Sequence, residues 1–217
     1  MKTATRPAYR PYVAVVKGAR RLSPHFARIT FTSPDFDVFG TDRRDQRVKI
    51  VLPGPDGTLC DIGQTDPAAI DNGEWYARWR DLPDEERMPF RTYTVRRIDP
   101  EALELDIDFV LHHDAGPAGA WAEAATIGDR ILVVGPDARS AESAQGIDFH
   151  PGTAQRLLLA GDETAAPAIC AILEGLAPGI VADAFIEVPG EDDALPLAAD
   201  SARVQWLARD ARPHGEA

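Results

Sequence analysis

Residues 26–32, FARITFT, alternate along the chain: Phe26, Arg28, Thr30 and Thr32 fall on one side, and Ala27, Ile29 and Phe31 on the other. A period of two predicts a strand, because successive side chains of an extended backbone point to opposite faces. Residues 12–16, 47–52 (RVKIVL), 93–98, 103–111 (LELDIDFVL) and 130–134 read the same way. Between them lie SPDF, PGPDG, IDPEA and VGPDA, clusters that favour turns. Short strands punctuated in this manner predict a small antiparallel barrel over the first two thirds of the chain. Two stretches depart from the pattern. Residues 74–82 (EWYARWRDL) predict a helical turn or an irregular insertion, and 117–125 (PAGAWAEAA) a short helix opened by Pro117 after Gly116.

After Gly152 the texture changes. RLLLAG (156–161) is a continuous apolar run ending in glycine, which predicts a buried parallel strand. Residues 164–176 (TAAPAICAILEGL) have helical spacing, with Pro167 tolerable in the first turn. VADAFIEV (181–188) and RVQWLAR (203–209) add two strands. Strand, helix, strand, strand is the opening of a βαβ layer. The expected fold class is therefore a β-barrel plus α/β. A boundary in the FHPGTA linker divides it into domains over residues 1–151 and 152–217. The chain shows no internal repeat and no low-complexity tract beyond a modest alanine bias.

Composition narrows the function. At 217 residues and 44% apolar content, the chain can build a real core. Its 35 acidic and 23 basic residues give a net charge of -12. This argues against nucleic-acid binding, which needs a basic face. It leaves room for a local basic pocket, because salt screens distant charge. Cys60 and Cys170 lie far apart in no ligand-like spacing, so neither a disulfide framework nor a zinc site is expected. MKTATRPAYRPYVAVV lacks the apolar run of a signal peptide, and no segment approaches membrane-spanning length. A soluble cytoplasmic protein is expected.

Three segments carry candidate chemistry. In GDETAAP (161–167), Gly161 ends a strand and Thr164 is placed to cap the next helix. The N-terminus of that helix offers free N–H groups to an anion or a polar cofactor edge. An ordinary capped βα turn reads the same way, and no G-x-G-x-x-G fingerprint is present. In HHDAGPAGAWA (112–122), adjacent histidines on a strand point to opposite faces and no ligand set accompanies them, so no metal site is expected. The small residues that follow let a ligand approach the backbone, while Trp121 suits a core or a ligand platform equally. In RTYTVR (91–96), a strand would put Arg91, Tyr93 and Val95 on one face and Thr92, Thr94 and Arg96 on the other. Arginine pairs bidentately with phosphate, a tyrosine ring lies against a flat heterocycle, and threonine bonds a polar ring edge. A solvated edge strand would carry the same charges.

Taken together, RTYTVR (91–96), DFVLHHDAGPAGAWA (108–122) and GDETAAPAI (161–169) resemble, in order, the signature segments of the siderophore-interacting protein family. Its members are flavin-dependent ferric-siderophore reductases related in architecture to the ferredoxin–NADP reductase superfamily. GDRILVVGP (128–136) is similar to the family's barrel-closing strand, and RVKIVLP (47–53) to its lysine-bearing strand. The resemblance covers most of the chain. It implies an N-terminal antiparallel FAD-binding barrel followed by a shortened parallel-sheet, NAD(P)-binding-like domain.

The same resemblance implies that Arg91, Tyr93, Thr94 and Val95 hold FAD, with Arg91 and Tyr93 at its phosphate and ribitol side and Thr94 at the isoalloxazine. Asp108, Val110 and His112 would lie along the cofactor, His112 toward the adenosine half. Ala118 and Gly119 would offer amides to the pyrophosphate, with Trp121 beside them, and Thr164 would reach the flavin from the second domain. Gly119 stands where many relatives have serine, so one hydroxyl bond is expected to be missing. Gly161, Asp162 and Glu163 would meet NAD(P)H. Lys49, Arg47 and Arg96 would form a basic rim for an anionic ferric siderophore. NAD(P)H or a ferredoxin-like donor would reduce FAD, and the flavin would reduce Fe(III), whose hard oxygen ligands hold Fe(II) far more weakly. No protein acid–base group is required. Relatives continue past RDARPHGEA to an aromatic-basic segment near the flavin, so an incomplete second domain is expected. A general flavin or ferric reductase, or a non-catalytic ferric-siderophore or flavin binder, fits the same residues.

Overall fold

The computed structural model describes residues 6–112 and 116–216. The elements run β1 (Tyr9–Ser23), β2 (Phe26–Thr32), β3 (Arg47–Val51), α1 (Pro67–Asn72), α2 (Trp75–Asp81), β4 (Phe90–Thr94), β5 (Arg97–Asp99), β6 (Glu104–Val110), α3 (Pro117–Ala124), β7 (Arg130–Pro136), β8 (Arg156–Gly161), α4 (Ala166–Glu174), β9 (Val181–Val188) and β10 (Ala202–Ala208). None of the described helices is long and apolar enough to cross a membrane.

The first seven strands pair antiparallel in the order β4-β3-β7-β1-β2-β6-β5. The outermost strands, β4 and β5, are separated in the chain only by Val95 and Arg96. A flat sheet cannot satisfy that connection, so the sheet curls until its edges meet. At the seam, Val95 N prolongs the β3–β4 ladder by donating to Gln46 O and Arg96 N prolongs the β5–β6 ladder by donating to Asp106 O, each at 2.9 Å, so neighbouring residues belong to the two edges. The residues expected as one strand over 93–98 are therefore two strands with the seam between them. Inside the curl the alternation works as predicted: Ala27, Ile29 and Phe31 of β2 meet Val48, Ile50, Ile107, Phe109, Ile131 and Val133. Each large apolar side chain buried there stabilises the fold by roughly 1.5–3 kcal/mol. β7 is apolar on both faces because its other side, Leu132 and Val134, is covered by Trp75 and Trp79 of α2. The stretch at 74–82 is thus a helix, preceded by α1, which Asp66 caps by accepting from Ala68 N at 3.0 Å.

The last three strands form a separate parallel sheet, β10-β9-β8. One face packs on α4, through Ala182, Ala184 and Ile186 against Ile169, Cys170 and Leu173. Phe26, at the start of β2, belongs to this second core rather than to the curled sheet's own. The β1–β2 turn is pinned beside it. Buried Asp193 accepts from Ser23 Oγ at 2.7 Å and His25 N at 2.9 Å, and lies 2.7 Å from His25 Nδ1. The opposite face of the parallel sheet is uncovered among the described residues, which leaves Leu158 71% exposed. The expectation that β8 is a fully buried strand is therefore corrected: only Leu157 and Leu159 pack against the core.

Candidate functional site

A cleft of about 500 Å³ opens where the curled sheet meets the start of α4. That size lies in the range of small-molecule sites. β4 supplies Arg91, Thr92, Tyr93 and Thr94; β6 and the residues after it supply Asp108, Val110 and His112; α3 presents Ala118 and Gly119; and Thr164, Pro167 and Ala168 come from the segment that opens α4. Arg47 and Asp45 complete the wall.

Its electrostatics are uneven. The Arg91 guanidinium is exposed and, among the described residues, donates only to the neighbouring Phe90 O at 3.0 Å. Among the described residues no carboxylate lies within ion-pair distance of it. Arg47 pairs with Asp148 at 3.0 Å, but both side chains are at least half exposed, and such pairs contribute little. Asp108 is neutralised: it accepts from Arg28 Nε at 2.7 Å and Nη2 at 2.8 Å. The Tyr93 ring packs on Phe109, 4.5 Å between centroids, and burial pushes its phenol up to about 12, so at neutral pH it is a donor. Among the described residues no side chain caps α3 at Gly116, and the first-turn amides of Ala118 and Gly119 stand where an anion can meet them. Thr164 Oγ1 donates to Asp162 Oδ1 at 2.6 Å and so faces the cleft with acceptor lone pairs.

Nine of the residues expected at the cofactor share this one cleft: Arg91, Tyr93, Thr94, Asp108, Val110, His112, Ala118, Gly119 and Thr164. His113, Asp114 and Ala115 lie outside the described residues. Thr92, Asp45, Pro167 and Ala168 were not expected there. Thr92 was legible as part of the same strand, whereas nothing local marks Asp45.

Other expected residues sit elsewhere. Val95 is fully buried in the curled sheet's core, because β4 ends before it. Trp121 stacks on Phe31, 6.2 Å between centroids and 10° between planes, and packs against that core. Arg96 is no part of an exposed rim: it is buried and bonded to Glu174. Glu163 is fully buried with both oxygens bonded to Arg209, at 3.0 and 3.1 Å, so it presents no surface to a nicotinamide. Gly161 has a packing reason: a Cβ there would stand 2.5 Å from Ala165 Cβ. The cap of the following turn is Asp162, not Thr164; its Oδ1 accepts from Thr164 N and Ala165 N at 2.9 and 3.3 Å. One ligand atom each from Asp162, Glu163 and His214 lies within 4.8 Å of the others, but the Arg209 guanidinium already neutralises Glu163. Lys49 stands beside the cleft, its Nζ donating to Thr92 Oγ1 at 2.6 Å and lying 5.5 Å from the Phe90 ring centroid.

A curled antiparallel sheet followed by a parallel layer is a fold class that the chain shares with a ferredoxin reductase and a cytochrome P450 reductase, at TM-scores of 0.60 and 0.64 with 14% and 15% identity. Within that class the chain belongs to the siderophore-interacting protein family. Residues 15–140 match the siderophore-interacting FAD-binding domain, and residues 154–217 match the siderophore-interacting protein model. An uncharacterized protein of Mycobacterium tuberculosis is 39% identical over 200 residues, covering 91% of this chain and 65% of its own. The ferric vibriobactin reductase ViuB of Vibrio cholerae is 30% identical over 190 residues, covering 87% of this chain and 63% of its own. The crystal structure of a siderophore utilization protein from T. fusca superposes with a TM-score of 0.72 at 28% identity, covering 99% of this chain and 75% of that one. The chain thus spans just under two thirds of the length of these curated relatives.

Proposed function

We propose that the cleft holds FAD and that the protein takes part in the reduction of a ferric siderophore. The observation that carries this reading is Arg91: an arginine without a carboxylate partner among the described residues, in a chain of net charge -12, on a concave wall shared with a protonated phenol and the start of helix α3. An anionic, flat ligand satisfies all three. Arg91 would meet the phosphates, with the Ala118 and Gly119 amides beside it. Tyr93 and Thr94 would meet the flat ring system and its polar edge, and Thr164 would meet the ring from the α4 side.

A bound flavin supplies the ability to take up an electron pair and release it singly. The chain's own residues orient the cofactor and exclude water; none is required as a general acid or base. The electron donor in this reading is NAD(P)H or a ferredoxin-like protein. The iron is cargo: as Fe(II) it binds hard oxygen ligands far more weakly and leaves the chelate. The experiment is titration of the purified chain with FAD, followed by anaerobic reduction and addition of a ferric siderophore with an Fe(II) chelator present. Flavin uptake and chelated Fe(II) are expected. A chain that refuses FAD overturns the reading, and a reduced flavoprotein that leaves the ferric siderophore intact restricts it to binding.

A further inference from the structure

Arg96 occupies the seam where the curled sheet closes, two residues beyond Thr94 of the cleft wall. Only 5% of it is exposed. Its Nη1 and Nη2 donate to Glu174 Oε2 and Oε1 at 2.5 and 2.6 Å, a bidentate pair onto the last residue of α4. Its Nε has no hydrogen-bond partner among the described residues and faces Asp108 Oδ2 at 3.6 Å, just beyond bonding reach. Asp108 in turn is held by Arg28 and lines the cleft.

Four side chains thus alternate in sign, Glu174, Arg96, Asp108 and Arg28, and the series is linked to the cleft at two points. Asp108 is on its wall directly. Glu174 ends a nine-residue helix whose first turn places Pro167 and Ala168 on that wall. A helix this short moves as one piece, so a shift at its first turn is felt at Glu174. Arg96 shares its charge between the two carboxylates and has a donor still free for Asp108. A buried donor left unpaired in this way calls for an explanation.

We propose that Arg96 is a positioning residue that couples occupancy of the cleft by the anionic cofactor to the seating of α4 against the curled sheet. The inference rests on the flavin reading above. By linkage the coupling runs both ways: a filled cleft tightens the Arg96–Glu174 joint, and an intact joint tightens cofactor binding.

Hydrogen exchange of the full chain, with and without saturating FAD, tests this in the unaltered protein. Amides of residues 172–175, at the far end of α4 from the cleft, are expected to exchange more slowly with FAD bound. In parallel, FAD affinity is measured by flavin fluorescence for wild type, Glu174→Gln, Arg96→Lys and the double variant. Each single change is expected to weaken FAD binding about tenfold, and the double variant no more than either, because all break one linkage. A wild-type chain that binds FAD while residues 172–175 exchange unchanged overturns the coupling. So does a folded Glu174→Gln protein whose FAD affinity stays within about twofold of wild type. A wild-type chain that binds no FAD overturns the flavin reading itself, and the coupling falls with it.

Discussion

At the carboxyl ends of the parallel strands, Arg209 donates to Glu163 at 3.0 and 3.1 Å and to Glu187 at 2.9 Å, and all three side chains are buried. On the cleft wall, Arg91 is exposed and among the described residues bonds only to a neighbouring carbonyl. Both arginines sit where a parallel layer or a helix start invites a ligand, yet only one of them is available. With 35 acidic residues in the chain, an internal partner is easily found. An arginine that has one, and is buried with it, holds the fold together. An arginine that has none, on a concave surface, is where an anion from outside completes the pair. Position at a strand end says less about function than the state of the charge there.

The comparison breaks most sharply by exchanging the two losses. Arg209→Ala leaves Glu163 fully buried with only the exposed His214 ring, 3.9 Å away, beside it as a candidate cation among the described residues. Breaking a buried pair from one side costs about 3–5 kcal/mol. The expected result is a large fall in the urea midpoint, with FAD affinity near normal in whatever remains folded. A variant as stable as wild type would show that Glu163 finds another partner, and the contrast between the two arginines would lose its basis.

Arg91→Ala should do the reverse. Its partner is proposed to be a phosphate, and hydrogen bonds to charged groups contribute about 1.5–3 kcal/mol. FAD affinity is expected to fall roughly ten- to a hundredfold, while stability changes by about 0.5 kcal/mol or less, as for other exposed sites. Unchanged flavin content after purification would remove Arg91 from the cofactor site.

The same contrast explains what could be read in the sequence. The curled sheet was legible because alternation and turn clusters are local: β2, β3, β6 and β7 stand close to where a period of two puts them. β1 runs on to Ser23 because KGARRLS forms an exposed, twisted arm with register shifts after Val16 and Arg21, where no apolar period survives. α1 is too short to show a period and is marked mainly by its Asp66 cap. At the cleft, Arg91, Tyr93 and Thr94 were legible because they share one strand, together with the α3 start. Val95 and Arg96 were not, since assigning their faces assumed a strand that stops at Thr94. Glu163 and Arg209 are separated by 46 positions, so nothing near Glu163 announces that its charge is already spent. Leu158 misled in the opposite direction: an apolar run predicts burial only where both faces of the sheet are covered.

A third test bears on the joint between the two regions, at Asp193. Burial alone would raise its carboxyl, but hydrogen bonds from Ser23 and His25 outweigh it and hold the group below the usual aspartate range. A group whose folded value is depressed stabilises fully above its unfolded pKa, about 3.9. That contribution is lost as pH falls through the folded value. Denaturation midpoints measured from pH 6 downward should therefore fall steeply below about pH 4. Asp193→Asn should be less stable at neutral pH and should show a shallower acid limb. An identical acid limb would place the titrating group elsewhere.

The smallest effect sharpens the contrast from the side of the free cations. Lys49 stands next to the cleft with its ammonium on Thr92, and no carboxylate lies within ion-pair distance of it among the described residues. Burial first, and then the Arg47 charge, lower its pKa, so the ammonium is held at a cost that an incoming anion would relieve. If it guides an anionic ferric chelate, Lys49→Ala should raise the apparent KM for that substrate a few-fold, in line with the roughly 1 kcal/mol ceiling of half-exposed charge pairs. A neutral ferric chelate should be hardly affected, and the difference should shrink as salt is raised toward about 1 M. Because the folded-state pKa is lowered, the preference for the anion should also fade with rising pH sooner than an ordinary lysine would allow. Equal effects on both chelates would make Lys49 a packing residue for Phe90 and leave Arg91 as the cation on which the anion reading rests.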